Sequence, residues 1–140
     1  MANLSKRKLS DKQLLQISCQ LNVVLGKLSP DKTGPFLAEL LGYEERIMIA
    51  KRFAMILMIE KGFSSYKISS ILKVSTATAE KIAKKFDRGD YNQILSSIKK
   101  NKKDYLKILD VLDSALHLGG LLPHYGQTYR SEEYRRNKTF

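Results

Sequence analysis

The run EERIMIAKRFAMILMIEK, from Glu44 to Lys61, most limits the possible fold, because every position in it is compatible with an α-helix. Two acidic residues stand at its start, where the positive end of a helix dipole favours them, and Gly62 follows as a stop signal. Apolar residues cover more than half of the helix circumference, so we expect this helix to be central and buried. Lys51, Arg52 and Glu60 argue against a membrane span.

Helical spacing also precedes this run. Ser10 and Gln13 form a predicted capping box, and the apolar residues after it recur at steps of three and four: Leu14, Ile17, Leu21, Val24 and Leu28. This seam is typical either of a helix that packs along a second copy or of an ordinary core stripe. The segment SPDKTGP, residues 29–35, predicts a loop, and a short helix is expected from Pro35 to Gly42.

Helix is predicted again beyond residue 90. Asp90 is expected to cap a helix from Tyr91 that extends to near Gly119, with the lysine cluster KKNKK at 99–103 bending or interrupting it. Strand-like alternation of apolar and polar residues does not occur over any useful length. We therefore predict an all-α helical bundle: a basic N-terminal tail at 1–9, one helical domain at 10–118 and a C-terminal tail at 119–140.

The charge balance favours a polyanionic partner. The 140 residues include 25 Lys and Arg against 14 Asp and Glu, a formal net charge of +11. Such a surplus causes self-repulsion in the folded state unless a polyanion neutralises it. Nucleic acid is therefore the first partner to consider, although a solvated cationic face would give the same totals.

The sequence argues against a metal centre, an enzyme and a membrane protein. Cys19 is the single cysteine and does not cluster with the two histidines, His117 and His124, so we expect no metal and no cofactor. Ser, Cys and His do not form a nucleophile pattern, and no glycine-rich phosphate loop occurs. Without an apolar run of signal-peptide or membrane-span length, a cytoplasmic protein is expected.

Two short helices, about Ser65 to Lys73 and Ser75 to Arg88, are predicted in the segment SSYKISSILKVSTATAEKIAKKF. Lengths of about eight and about twelve residues around a tight turn are those of a helix-turn-helix, here at 65–88. Lys73 stands where such turns often carry glycine to reach the left-handed conformation. The apolar contacts between the two helices are expected from Ile68, Leu72, Val74, Ala79 and Ile82.

The start of the second helix suits the major groove of DNA. Ser75 is the predicted N-cap, and small or hydroxyl-bearing side chains after it would let the helix end approach base edges and phosphates. Between Lys61 and Arg88 seven basic residues face two acidic ones, a local charge of +5. Glu80 either accepts from a cytosine amino group or pairs with Lys84. The predicted DNA contacts are Lys67, Lys73, Ser75, Thr76, Ala77, Thr78, Glu80, Lys81, Lys84 and Lys85.

About 50 of the 140 residues, from Leu40 to about Tyr91, resemble the tryptophan repressor-like superfamily. The similarity lies in Ile49-Ala50 and Arg52 of the long helix, in Gly62, and in the string VSTAT at 74–78, which other helix-turn-helix families also contain. The sequence is closer to the bacterial proteins related to the repressor than to the repressor itself. The resemblance implies an intertwined all-helical homodimer whose helix-turn-helix pairs enter successive major grooves.

The resemblance also bears on an effector. In the repressor a tryptophan lies between two arginines, and a glycine after the second one leaves room for it. Arg52 matches the first arginine and is the candidate residue of an effector pocket, whereas Lys81 stands at the second and Ile82 at the glycine. A side chain at position 82 fills the slot, so the resemblance does not extend to tryptophan as co-repressor.

The predicted function is sequence-specific binding of double-stranded DNA by a homodimeric transcriptional regulator, a repressor by the resemblance. Two other hypotheses remain open. One is an accessory DNA-targeting protein of a transposition or replication system. The other is a helical adaptor whose basic face binds an acidic protein, or more simply two bundle helices with a solvated lysine face.

Overall fold

The computed structural model describes residues 7–119, and the described chain is helical apart from short connections. In order, the helices are α1 (Asp11–Lys27), α2 (Pro30–Leu40), α3 (Tyr43–Glu60), α4 (Ser65–Leu72), α5 (Thr76–Asp87), α6 (Asn92–Lys99) and α7 (Lys102–Ala115). Residues 7–119 contain no strand, so the all-α prediction is confirmed. Within the same residues, no helix combines the length and the apolar character needed to span a bilayer. Most of both predicted tails, including His124, lies outside the described residues.

The chain divides into two compact units, one ending at Ile49 and the other beginning at Ala50. The first unit holds α1, α2 and the start of α3, and none of its residues from 7 to 49 is buried. The second unit holds the rest of α3 and the helices α4 to α7. Its core contains the second half of α3, where every residue from Ala54 to Met58 is buried.

The first two helices begin at serine N-caps. The capping box predicted for α1 is present: the Ser10 hydroxyl accepts from the Gln13 backbone N–H at 3.1 Å, and the Gln13 side chain accepts from the Ser10 N–H at 2.9 Å. The loop predicted at 29–35 is wrong, because α2 begins at Pro30 and includes Pro35. Pro30 fits the first helical position, where its missing N–H is not needed, and Pro35 is accommodated at the loss of one internal hydrogen bond.

The long helix α3, predicted to be central and buried, is buried over only part of its length. Its second half is buried, but Met48, Ile49 and Phe53 in and near its first half are 48%, 47% and 39% exposed. The helix ends as predicted at Gly62, whose φ of 89° is accessible to glycine at little cost. The N–H of Phe63 then donates to the Met58 carbonyl at 3.0 Å and closes the helix end.

The helix predicted beyond residue 90 is two helices. The lysine cluster interrupts it, because Asn101 is extended and its side chain accepts from the Asp104 N–H at 3.2 Å as the N-cap of α7. The predicted cap at Asp90 is wrong: Tyr91 occupies the N-cap position of α6. The Asp90 carboxylate instead accepts from the Arg88 guanidinium at 3.0 Å.

Candidate functional site

The inner side of the α4–α5 pair is packed into the core of the second unit. Ile68, Leu72, Ala79 and Ile82 are at most 7% exposed, and Val74 in the connecting turn is half-buried. These are the five positions that the sequence predicted as contacts between the two helices. Because the inner face is held by packing, the outer face of α5 has a fixed orientation.

The turn between α4 and α5 is held by two side-chain hydrogen bonds. Lys73 itself adopts the left-handed conformation, with φ 57° and ψ 50°, so the turn forms without the glycine that such turns often carry. The Ser69 hydroxyl donates to the Val74 carbonyl at 2.6 Å, and the Lys51 ammonium donates to the Lys73 carbonyl at 3.1 Å. Neither bond was predicted from the sequence, although the small polar residue at position 69 was a signal for the bond to the Val74 carbonyl.

The start of α5 is capped by the predicted residue. The Ser75 hydroxyl accepts from the Thr78 N–H at 3.1 Å and lies 2.8 Å from the Thr78 hydroxyl. The N–H groups of Thr76 and Ala77, in the first turn, have no carbonyl of their own helix to bond. Two amides at the positive end of a helix dipole therefore face outward, where they can donate to an anion.

The residues predicted to contact DNA lie on α4, on the turn and along α5. Glu80 forms no ion pair within residues 7–119, so the pairing with Lys84 considered from the sequence is not formed there. Three of the ten side chains are half-buried, namely Lys67, Thr78 and Lys85. Seven are exposed: Lys73, Ser75, Thr76, Ala77, Glu80, Lys81 and Lys84.

Two of the seven basic residues between 61 and 88 are engaged elsewhere. The Lys61 side chain is buried, with its ammonium 5.1 Å from the centroid of the Tyr105 ring. Arg88 pairs with Asp90 at 3.0 Å. The cationic character of this surface therefore comes from five lysines, at positions 67, 73, 81, 84 and 85.

Arg52, the residue proposed for an effector pocket, does not line the apolar groove found within residues 7–119. Arg52 is exposed, and Ile82 is 6% exposed in the core, so a side chain fills the position matched to the repressor's glycine. An apolar groove of about 420 Å³ lies between Phe53 and one side of α7, and Arg52 is not one of its lining residues. The α7 residues of the groove are Asp104, Lys107, Ile108, Val111, Leu112 and Ala115.

Neither a metal-binding group within residues 7–119 nor a match to a known protein helps to assign a function to the site. Residues 7–119 contain no group of three or more His, Cys, Asp or Glu side chains placed to hold a metal ion. Comparison of the chain with protein-family models, with curated proteins and with solved structures found no match. A functional assignment therefore depends on the chemistry of the α4–α5 surface.

Proposed function

We propose that this chain is a sequence-specific double-stranded DNA-binding protein that acts as a homodimeric transcriptional repressor. The observation that carries the proposal is the start of α5, which is small, hydroxyl-rich and exposed, with lysines one and two turns further on. Its inner face is fixed by buried residues, as a helix that enters a groove requires.

In the proposed mechanism, α5 lies in the major groove with its first turn against the bases. The methyl groups of Thr76 and Ala77 contact thymine methyls, and Lys81 donates to the acceptor atoms of guanine. The free amides at the helix start and the lysines at 67, 73 and 84 contact phosphates, which set the position of the helix but carry no sequence information. Glu80 accepts from a cytosine amino group.

The homodimer is part of the same proposal. No residue from 7 to 49 is buried, and large apolar side chains such as Leu14, Leu15 and Ile17 are about half exposed, which is unfavourable unless another surface covers them. A second copy would supply that surface and would place two α5 helices on one duplex. Half-sites about one helical turn apart, roughly 34–36 Å, are then expected.

The first experiment measures DNA affinity as a function of salt. A surface with five lysines is expected to neutralise about five phosphates per subunit, which predicts a log–log slope of about −4 to −5 per subunit engaged, because each neutralised phosphate releases counterions. The slope is obtained from fluorescence anisotropy of a labelled duplex between about 50 and 200 mM salt. A flat response, or no binding at low salt, would favour the adaptor hypothesis, in which the basic face binds an acidic protein.

The second experiment tests base recognition. We expect the pair Thr76→Ala and Lys81→Ala to reduce the preference for duplexes selected from a random pool, by about 1–3 kcal/mol per lost base contact. Lys84→Ala, a predicted phosphate contact on the same helix, is the matched control and should weaken binding to all sequences alike. Equal losses on selected and random duplexes in the first pair would show that these residues do not read bases.

The selected duplexes also separate the regulator from the accessory DNA-targeting protein. A repressor dimer selects two symmetric half-sites at fixed spacing. A single contact region of arbitrary sequence would contradict the proposed regulator function. It would favour the hypothesis of an accessory DNA-targeting protein.

A further inference from the structure

The central part of α1 is uncharged and uncovered. From Gln13 to Gly26 the sequence has no charged residue, although 28% of the chain is charged. No residue of α1 is buried. An apolar helix surface in contact with water on all sides is unfavourable, so a further surface is needed to cover α1.

The apolar side of α1 is a stripe, which we call the α1 seam. It consists of Leu14, Ile17, Leu21 and Val24, whose side chains are 48%, 59%, 37% and 44% exposed. Steps of three and four place these residues on one side of the helix, with the geometry by which one helix packs along another. The spacing three, four, three is unchanged when the helix is reversed, so the seam is complementary to an antiparallel copy of itself.

The charges at the two ends of α1 select the orientation. Asp11 and Lys12 stand at its start and Lys27 at its end. Parallel pairing about a two-fold axis would place Lys27 level with the partner's Lys27 and Asp11 level with the partner's Asp11. Antiparallel pairing separates the two Asp11 side chains and the two Lys27 side chains and sets the two helix dipoles against each other, which is the favourable arrangement.

We propose that two copies of this chain pair through an antiparallel contact of their α1 seams. The two-fold axis passes at the level of Cys19, the middle residue of the 17-residue helix. Ile17 then lies against the partner's Leu21 and Leu14 against the partner's Val24, and each contact occurs twice, as in any isologous interface. This inference rests on the homodimer of the proposed function and specifies its contact surface.

The α1 seam contributes a large share of the contact area of the proposed dimer. A helix of 17 residues is about 25 Å long, so two of them packed along their whole length cover a substantial part of the roughly 1,000 Å² that a specific interface needs. The side chains of Gln13 and Gln20 border the seam. Amide groups both donate and accept hydrogen bonds, so the border of one copy can bond the same border of the other.

Disulfide trapping in the full-length chain tests the inference. In a Cys19→Ser background, chains carrying Ile17→Cys are mixed with differently tagged chains carrying Leu21→Cys and oxidised with copper–phenanthroline. We expect a covalent dimer that contains one chain of each kind. Identical cysteines would be displaced by four residues, about 6 Å along the axis, which takes their Cα atoms beyond the ~7 Å that a disulfide spans.

The unmodified chain supplies an internal control. Cys19 is two residues from Ile17 and from Leu21, about 200° around the helix, so it lies on the side of α1 opposite the seam. We therefore expect oxidation of the unmodified protein to give little covalent dimer. Circular dichroism of each variant verifies that the helices are retained.

Three other outcomes would overturn the inference, and a fourth would reject only the proposed function. A disulfide between two Ile17→Cys chains would indicate parallel pairing. Dimer mass in light scattering without any trapped product would mean that another surface forms the dimer. A monomer at all concentrations would remove both this interface and the homodimer of the proposed function. Mixed disulfides in a protein that fails to bind DNA would leave this interface standing and reject the proposed function.

Discussion

Lys73 combines two roles that a single substitution can separate. Its backbone is left-handed, which costs a non-glycine residue about 1–2 kcal/mol, and its exposed side chain is a proposed phosphate contact. We expect Lys73→Gly to raise the free energy of unfolding by roughly 0.5–1 kcal/mol, after allowing for the greater freedom of glycine in the unfolded chain. The same variant should bind DNA more weakly, with a salt slope about one unit shallower.

Urea denaturation and a salt titration measure the two effects. Lys84→Ala, which changes an exposed residue of ordinary helical conformation, is the control that should lose DNA affinity without gaining stability. A loss of stability in Lys73→Gly would mean that contacts of the Lys73 side chain stabilise the fold by more than its left-handed backbone destabilises it.

At the scale of single residues, the sequence predicts the features that depend on neighbouring residues in the chain. The N-caps Ser10 and Ser75 and the stop at Gly62 were predictable, because a cap bonds a residue two or three positions away. The contact between Lys51 and the Lys73 carbonyl was not, since it joins residues 22 positions apart and exists only after the helices have packed.

At the scale of the element, two of the three alanines of α5 have opposite surroundings. Ala79 is 0% exposed against α4, whereas Ala77 is exposed in the first turn. We expect Ala79→Leu to lower the free energy of unfolding by about 1–3 kcal/mol, because the extra carbons have no space in the core. Ala77→Leu should leave stability within about 0.5 kcal/mol of the parent, since leucine is nearly as good a helix former as alanine.

The exposed alanine, Ala77, also allows a prediction about DNA affinity. Ala77→Leu should reduce affinity for a selected duplex by about tenfold, because a bulky side chain keeps the first turn away from the base edges. Urea denaturation and anisotropy on the same preparations measure both quantities. Unchanged affinity in Ala77→Leu would exclude this turn of α5 from the protein–DNA contact.

Two element boundaries were not fully specified by the sequence. Proline was taken as the start of α2 at Pro35, but Pro30 occupies the first helical position and the helix continues through the second proline. Asn101 was not distinguished from the lysines around it, although its side chain caps α7. Pro30 and Pro35 are both suited by type to the first helical position, whereas Asn101 differs from the lysines beside it in having a side-chain oxygen that accepts from the Asp104 N–H.

At the scale of the whole molecule, stability should depend on protein concentration. No residue from 7 to 49 is fully buried in the single chain, so we expect association in the proposed dimer to supply a large part of the stability of this segment. We expect the thermal midpoint to rise when the concentration is increased from about 1 to 100 μM, as mass action requires for a dimer that unfolds to monomers. Scanning calorimetry or circular dichroism at several concentrations measures the rise.

A matched pair of substitutions identifies the surface responsible. Leu21→Asp, on the α1 seam, should give a monomer in light scattering and remove the concentration dependence, because a charge would be buried in the interface. Leu15→Asp, on another side of α1 and 65% exposed, should have a much smaller effect. A midpoint independent of concentration in the parent protein would contradict the dimer.

The all-α class and the positions that pack α4 on α5 could be predicted, because helical periodicity is a local property of the sequence. The exposure of the first half of α3 and of all of α1 could not. A periodic stripe such as Leu14, Ile17 and Leu21 shows that one side of a helix is apolar, but the same stripe fits a core within one chain and a contact between two.

The uncovered segment at 7–49 has a consequence for how strongly such a regulator would respond to its own abundance. Where subunits are scarce enough to separate, the amount of paired protein follows the square of the number of chains present. Halving synthesis would then cut operator occupancy about fourfold in the dilute limit, so a gradual decline in expression would be converted into a sharper release of the controlled gene.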